Sequence, residues 1–192
     1  MRERLGILIG PKGRGTNMKA LANACGDKEF PAVLDVIVSP KADSPAAEYA
    51  IQNGLNLEVI APGENYADKL LDALKGCTIL CLAGYTRLLP TEVLDRFPKA
   101  ILNIHPALLP KYGGKGMYGM HVHEAILANQ ERESGCSVHY VTPVYDEGEV
   151  ILQMRCPVLD DDTPETLAKR VLELEVQAYP EAVKKVIDGR RS

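Results

Sequence analysis

Leu5-Gly-Ile-Leu-Ile-Gly10-Pro-Lys-Gly-Arg-Gly-Thr-Asn17, continued by Met18, Leu21 and Ala22 at helical spacing, is the stretch that decides the fold. An apolar run without polar alternation reads as a strand covered on both faces. The glycine-rich turn after it opens an amphipathic helix over Thr16–Cys25. The same unit then recurs. Val33–Val38 is a second strand, ended by Ser39-Pro40, and Ser44–Asn53 a helix closed by Gly54 at the C′ position. Leu57–Ile60 is a third strand, before a helix over Asn65–Leu74 closed by Gly76. Thr78–Ala83 is a fourth strand, Thr91–Arg96 a short helix, and Ala100–Ile104 a fifth strand. Apolar strands separated by helices of about ten residues imply an α/β, doubly wound, mostly parallel sheet with helices on both faces. Ligands of such a sheet bind beyond the carboxyl ends of its strands, so the chemistry is expected in the loops that follow them.

The second half changes character. Pro106–Gly119 is a loop with two prolines and four glycines, and a helix over His121–Asn129 follows. Gly135–Thr142 and Val150–Val158 read as strands joined by a turn containing Asp146-Glu-Gly148, antiparallel additions to the C-terminal half of the sheet. Asp162-Thr-Pro-Glu165 opens a helix with Pro164 at its first position. That helix carries Leu167, Val171 and Leu174 at core spacing and is expected to reach Tyr179 before Pro180. With no repeat, low-complexity tract or linker, residues 1–192 read as a single domain.

Composition narrows the function classes. The 192 residues are 46% apolar and 25% charged, an ordinary globular balance. No apolar run approaches the ~20 residues of a membrane helix, and the N-terminal apolar stretch is too short for a secretion signal. A cytoplasmic protein without a membrane partner is expected. The formal charge of −4, from 22 basic and 26 acidic residues, shows no dense cationic stripe, which disfavours nucleic acid. A small anion remains compatible, because a helix N-terminus holds one without a basic patch. Five dispersed cysteines, Cys25, Cys77, Cys81, Cys136 and Cys156, lack any Cys-x-x-Cys pair and read as reduced, buried thiols.

Three loops can carry chemistry. Gly10–Asn17 fails the phosphate-loop pattern, since Thr16 stands where Lys is required, and fails the dinucleotide pattern for want of a third glycine. Asp35 lies inside the second strand rather than at its ribose-binding end. A generic phosphate cradle survives, with Gly15, Thr16 and Asn17 as donors; the alternative is a tight turn with Thr16 as N-cap. Asn103 and His105, two apart in a strand, share a face. An amide donor beside an imidazole suits acyl transfer, the amide stabilising an oxyanion and the histidine supplying or accepting a proton; a hydrogen-bonded strand-end histidine is the other reading. Asp146 is a turn acid that, if it faces His105, would raise the histidine pKa and hold it protonated. His121 and His123 are about 200° apart on a helix and make a poor metal pair with His105 or His139, so no metal is expected. Ser137 and His139 share a strand face, but no nucleophile elbow supports a serine hydrolase. Glu175, on the flank of the last helix's apolar stripe, is either a solvated border residue or a semi-buried acceptor for ligand hydroxyls.

Asn103-Ile-His-Pro-Ala-Leu-Leu-Pro-Lys-Tyr112 resembles the formyltransferases that use 10-formyltetrahydrofolate. Gly-Arg-Gly-Thr-Asn17, Leu-Ala-Gly-Tyr-Thr-Arg-Leu-Leu89, Ser-Gly-Cys-Ser-Val-His-Tyr140, Asp146-Glu-Gly148 and Glu175 with Tyr179-Pro180 extend the likeness over nearly the whole chain, toward the phosphoribosylglycinamide formyltransferases of purine biosynthesis. The resemblance implies Asn103, His105 and Asp146 as the catalytic trio, and Gly15, Thr16 and Asn17 on the substrate phosphate, with Glu175 on its ribose. It implies Thr86, Arg87, Leu88 and Leu89, with Asn103 and the Asp146 loop, on the pterin of the folate co-substrate. His121 and His139 match supporting histidines of the family. The implied reaction is direct attack of the glycinamide ribonucleotide amine on the formyl carbonyl through a tetrahedral intermediate, in a monomer or homodimer. Hydrolysis of the same formyl-folate by the same trio is the alternative, disfavoured because those hydrolases usually carry an extra N-terminal domain; transfer to methionyl-tRNA is disfavoured by the missing C-terminal domain and the acidic balance. Two positions depart from the pattern: Ala61–Asn65 has no Arg before Tyr66, and Glu149 follows Gly148 where Pro is frequent.

Overall fold

Residues 2–191 are described by a computed structural model. Five parallel strands come first: β1 (Glu3–Ile9), β2 (Ala32–Ser39), β3 (Leu57–Val59), β4 (Ile79–Ala83) and β5 (Ile101–His105). They alternate with α1 (Thr16–Gly26), α2 (Pro45–Gln52), α3 (Tyr66–Ala73) and α4 (Thr91–Arg96). After α5 (Met120–Ala128) come β6 (Glu133–Tyr140), β7 (Val150–Pro157) and the long α6 (Pro164–Arg191). The seven strands lie in the order β3-β2-β1-β4-β5-β6-β7, with β5–β6 and β6–β7 antiparallel as the sequence implied.

The unalternating apolar strands are explained by two cores, one per face. Leu5, Ile7 and Ile9 of β1 pack with Met18 and Leu21 of α1 and with the buried stripe of α6. Leu8, Leu80 and Leu82 point the other way, against Leu70 of α3 and Val93 of α4. The order in which strands are added reverses between β1 and β4, which run parallel, and there the loops after the two strands nearly touch. A Cβ on Gly10 would lie 2.0 Å from the Gly84 carbonyl oxygen, so only glycine fits.

Three local expectations need correction. Thr16 is not the N-cap of α1; Gly15 is, at φ 76, and no side chain caps the helix. An added Cβ on Gly15 would also meet Ala46 Cβ at 2.8 Å. Gly76 does not close α3, which is capped at Leu74; its missing side chain makes room for Arg4 and Asp35, which form an ion pair. Pro180 does not end the last helix, which runs through it to Arg191. A helix-interior proline costs roughly 3 kcal/mol. The turns beyond it bury Val183, Val186 and Ile187, each worth about 1.5–3 kcal/mol, so burial wins.

Candidate active site

The end of β5 sets the site. Asn103 and His105 alternate onto one face, and antiparallel pairing sets His139 of β6 opposite Asn103 and Ser137 opposite His105. Register therefore delivers a second imidazole to the asparagine: Asn103 Nδ2 and His139 Nε2 are 3.2 Å apart. His139 Nδ1 donates to the Tyr140 carbonyl at 2.9 Å. The Asn103 amide has two N–H groups, and with one turned to this ring the other is left to give.

Asp146 enters from the β6–β7 loop at φ 57, a left-handed conformation that Asp tolerates better than most residues. Its Oδ2 lies 3.6 Å from His105 Nδ1 and its Oδ1 3.5 Å from His139 Nε2. The Gly114 N–H donates to Oδ2 at 2.9 Å. Burial pushes the Asp146 pKa up, but the His139 contact, the His105 charge and the Gly114 N–H together outweigh it and hold the carboxyl below its ordinary range.

His105 is 4% exposed, and its Nε2 donates to the Tyr112 carbonyl at 2.7 Å. Burial depresses its pKa more than Asp146 and the Tyr112 carbonyl raise it, and His139 depresses it further. Asp146 thus faces His105 and raises its pKa, as expected, against the larger opposing effect of burial. The His105 Nε2 carries the proton given to Tyr112, and its Nδ1 faces the carboxylate. At 3.6 Å the pair is an electrostatic contact, longer than a hydrogen bond.

The two other histidines separate, as their spacing required. His121 is exposed and lies 3.3 Å from Glu124. His123 is buried, its Nδ1 has no partner, and burial followed by His105 lowers its pKa. Among the described residues no group of three or more His, Cys, Asp or Glu could hold a metal ion.

At the carboxyl end of β1, Gly15, Thr16 and Asn17 form the N-terminus of α1. Asn17 Nδ2 donates to Glu175 Oε2 at 2.6 Å across 158 residues, while Asn17 Oδ1 is buried without a partner. Glu175 is only 8% exposed, so it is a buried acceptor rather than a solvated border residue. Burial raises its pKa and the Asn17 amide partly offsets the rise. Four residues on, Tyr179 is fully buried and its hydroxyl reaches both the Leu82 and Leu102 carbonyls at 2.9 Å. α6 is thereby fixed to β4 and β5, and Glu175 with it.

The loop after β4 exposes Thr86, Arg87 and Leu88, whereas Leu89 is buried at 8% exposure and has only backbone to offer a ligand. Tyr145 donates from its hydroxyl to the Thr86 carbonyl at 3.3 Å, joining this loop to the one bearing Asp146. Leu88 and Val144, on the two loops, are about half exposed at 49% and 52%, an apolar surface suited to a flat heterocycle.

Sequence reasoning gave His139 only a supporting place and did not find the Tyr112 carbonyl, the Gly114 N–H or His123. The shared face of Ser137 and His139 was the available signal, but cross-strand register is not readable from one strand.

The formyl transferase family matches residues 6–183. The chain is 39% identical over 197 aligned residues to a chloroplastic phosphoribosylglycinamide formyltransferase of Arabidopsis thaliana, covering 98% of this chain and 67% of that protein. It is 32% identical to the phosphoribosylglycinamide formyltransferase of Escherichia coli (strain K12), covering 97% of this chain and 89% of that one. The crystal structure of glycinamide ribonucleotide transformylase 1 from Symbiobacterium toebii superposes with a TM-score of 0.88 at 36% identity, over 98% of this chain and 89% of that chain. A formyltetrahydrofolate deformylase from Pseudomonas syringae shares the fold alone, at 15% identity, a TM-score of 0.85 and coverage of 98% of this chain and 62% of its own. A strand-end Asn–His pair, an acid from the following antiparallel turn and a match spanning nearly the whole chain agree: this chain belongs to the formyl transferase family.

Proposed function

We propose that residues 1–192 act as one domain that transfers the formyl group of 10-formyltetrahydrofolate to the amine of glycinamide ribonucleotide. The observation that carries the reading is the convergence of Asn103 and His105 from β5 and Asp146 from the β6–β7 loop onto one cluster, with His139 between them. The donors of α1 and the buried Glu175 stand at the ends of neighbouring strands. β1 and β5 are two strand spacings apart, roughly 10 Å, which suits a substrate with a phosphate at one end and an amine at the other.

Each residue has work that its geometry allows. The N-terminal N–H groups of α1 favour the phosphate. Glu175 and the unpartnered Asn17 Oδ1 accept from ribose hydroxyls. The Thr86–Leu89 backbone and the Asp146 loop hold the pterin and bring its formyl carbon to Asn103. When the amine attacks that carbon, a C–N bond forms and the carbonyl oxygen becomes negative; the free Asn103 N–H stabilises it. The facing Asp146–His105 pair takes the amine proton as the new bond forms. It returns that proton to the folate nitrogen as the old C–N bond breaks. Charges and protons balance without a further reactant. The cytoplasm, with its reduced thiols, is the proposed compartment.

The test is purified protein with 10-formyltetrahydrofolate, with and without glycinamide ribonucleotide, followed by folate absorbance. Deformylation that requires the amine, with formylglycinamide ribonucleotide as product, is the expected result. Release that ignores the amine would make the chain a hydrolase, and no release from either mixture would overturn both readings.

A further inference from the structure

We propose that Glu131, just past the end of α5, is a positioning residue for His105: it clamps Tyr112 in the backbone conformation that presents the Tyr112 carbonyl to the imidazole. The kinetic consequence rests on the formyl-transfer reading; the structural one does not.

Tyr112 stands at φ 57, a left-handed conformation that a bulky aromatic residue takes only where its surroundings impose it. In that conformation its carbonyl lies 2.7 Å from His105 Nε2, which donates to it. The side chain supplies the hold. Its ring is partly buried against the main core, and its hydroxyl donates to Glu131 Oε1 at 2.9 Å. Lys111 Nζ donates to the same oxygen at 2.8 Å. Successive side chains of an extended segment point to opposite sides, so two that meet on one oxygen fix the turn between them. The side chain of Asn129, the C-cap of α5, also reaches the Tyr112 hydroxyl.

Glu131 is a fixed post. α5 ends in a closed turn, in which the Gln130 N–H donates to the Leu127 carbonyl at 2.9 Å and the Glu131 N–H to the Ile126 carbonyl at 3.2 Å, with Gln130 at φ 52. The place Glu131 takes in such a turn is commonly apolar and packs on the helix's last turn. A carboxylate there also meets the negative end of the helix dipole, where it is disfavoured. Local structure gives no reason for an acid at this position; the two donors from the loop after β5 do. The ion pair alone is a weak reason, because the Lys111 side chain is 69% exposed and such pairs contribute little. The hydroxyl bond is the clamp.

A carbonyl that accepts from a ring N–H favours the protonated imidazole, since a charged donor bonds more strongly than a neutral one. The Tyr112 carbonyl acts on His105 in that direction. The other groups facing the ring are Asp146 from the β6–β7 loop, His139 from β6 and His123 from α5, and none of them is altered in the variants below.

The test uses the full-length chain with Tyr112→Phe, which removes only the hydroxyl, and Glu131→Ala, which removes its acceptor. Glu131→Gln, whose amide oxygen still accepts from the hydroxyl, is the rescue, and Lys111→Met, which breaks the ion pair alone, is the control. An NMR titration reads the His105 midpoint in the free protein. The midpoint should fall in Tyr112→Phe and Glu131→Ala and stay at the wild-type value in Glu131→Gln and Lys111→Met. In the first two variants kcat should fall by about 10- to 100-fold, the scale of a misplaced reacting group, with KM for both substrates within about twofold. A His105 midpoint that stays or rises in folded Tyr112→Phe overturns the inference even if activity falls, as does a Glu131→Gln variant that behaves like Glu131→Ala. A midpoint that falls as expected in a chain whose wild type shows no formyl transfer overturns the proposed function and leaves the positioning role standing.

Discussion

Asn103 is the most sensitive single position. Its free N–H has no substitute on that face, so Asn103→Ala should lower kcat by about 10²–10³-fold, measured in the formyl-transfer assay, with the fold intact by circular dichroism. His105 governs pH dependence. Its pKa lies below the ordinary 6.5 and Asp146 stays ionised, so kcat/KM should rise with pH through a single acid limb with a midpoint below 6.5 and be flat at neutrality. An acid limb centred above that value would mean that Asp146 outweighs burial at His105. Glu175 has the opposite sign. A carboxyl whose folded pKa is raised destabilises the fold once ionised, and that loss grows as pH rises through the folded value. Glu175→Gln should therefore raise Tm at pH 8, with a gain that shrinks on acidification, while raising KM for glycinamide ribonucleotide by about 10-fold or more, the worth of a charged hydrogen bond. At this scale the sequence singled out the side chains that the structure brings together, because an amide and an imidazole two apart at a strand end share a face. It was blind to Tyr112 and Gly114, which act through backbone groups that every residue type carries.

Elements were legible where their local signals and the core agreed. The unalternating strands β1 and β4 and Pro164 at the start of α6 follow from patterning alone. Pro180 misled because a local rule was outweighed by burial on the far side of it, which no local signal reports. The same burial fixes α6 to the sheet, and Tyr179 is the point of attachment. Tyr179→Phe removes the hydroxyl from two strand carbonyls in a fully buried place. It should cost about 1–3 kcal/mol, lowering Tm by roughly 2–4 °C per kcal/mol in a chain of this size by calorimetry. An unchanged Tm would mean that packing alone holds the helix.

For the molecule as a whole, the proposed site draws on elements far apart in sequence: Asn17 near the start, the Asn103 strand in the middle and Glu175 near the end. Binding should therefore stabilise the entire fold rather than one lobe. Glycinamide ribonucleotide at 100 times its Kd should add about 2.7 kcal/mol, raising Tm in a single transition; a ligand-insensitive Tm would argue against the shared site. Glu175 and Tyr179 sit one turn apart on α6, and Tyr179 is joined to the strand that carries Asn103. That helix is a ruler. On the proposed reading its seat on the sheet sets the span from sugar to nucleophile, so an acceptor one bond longer or shorter should meet the carbonyl out of line, a selection by length as well as by charge.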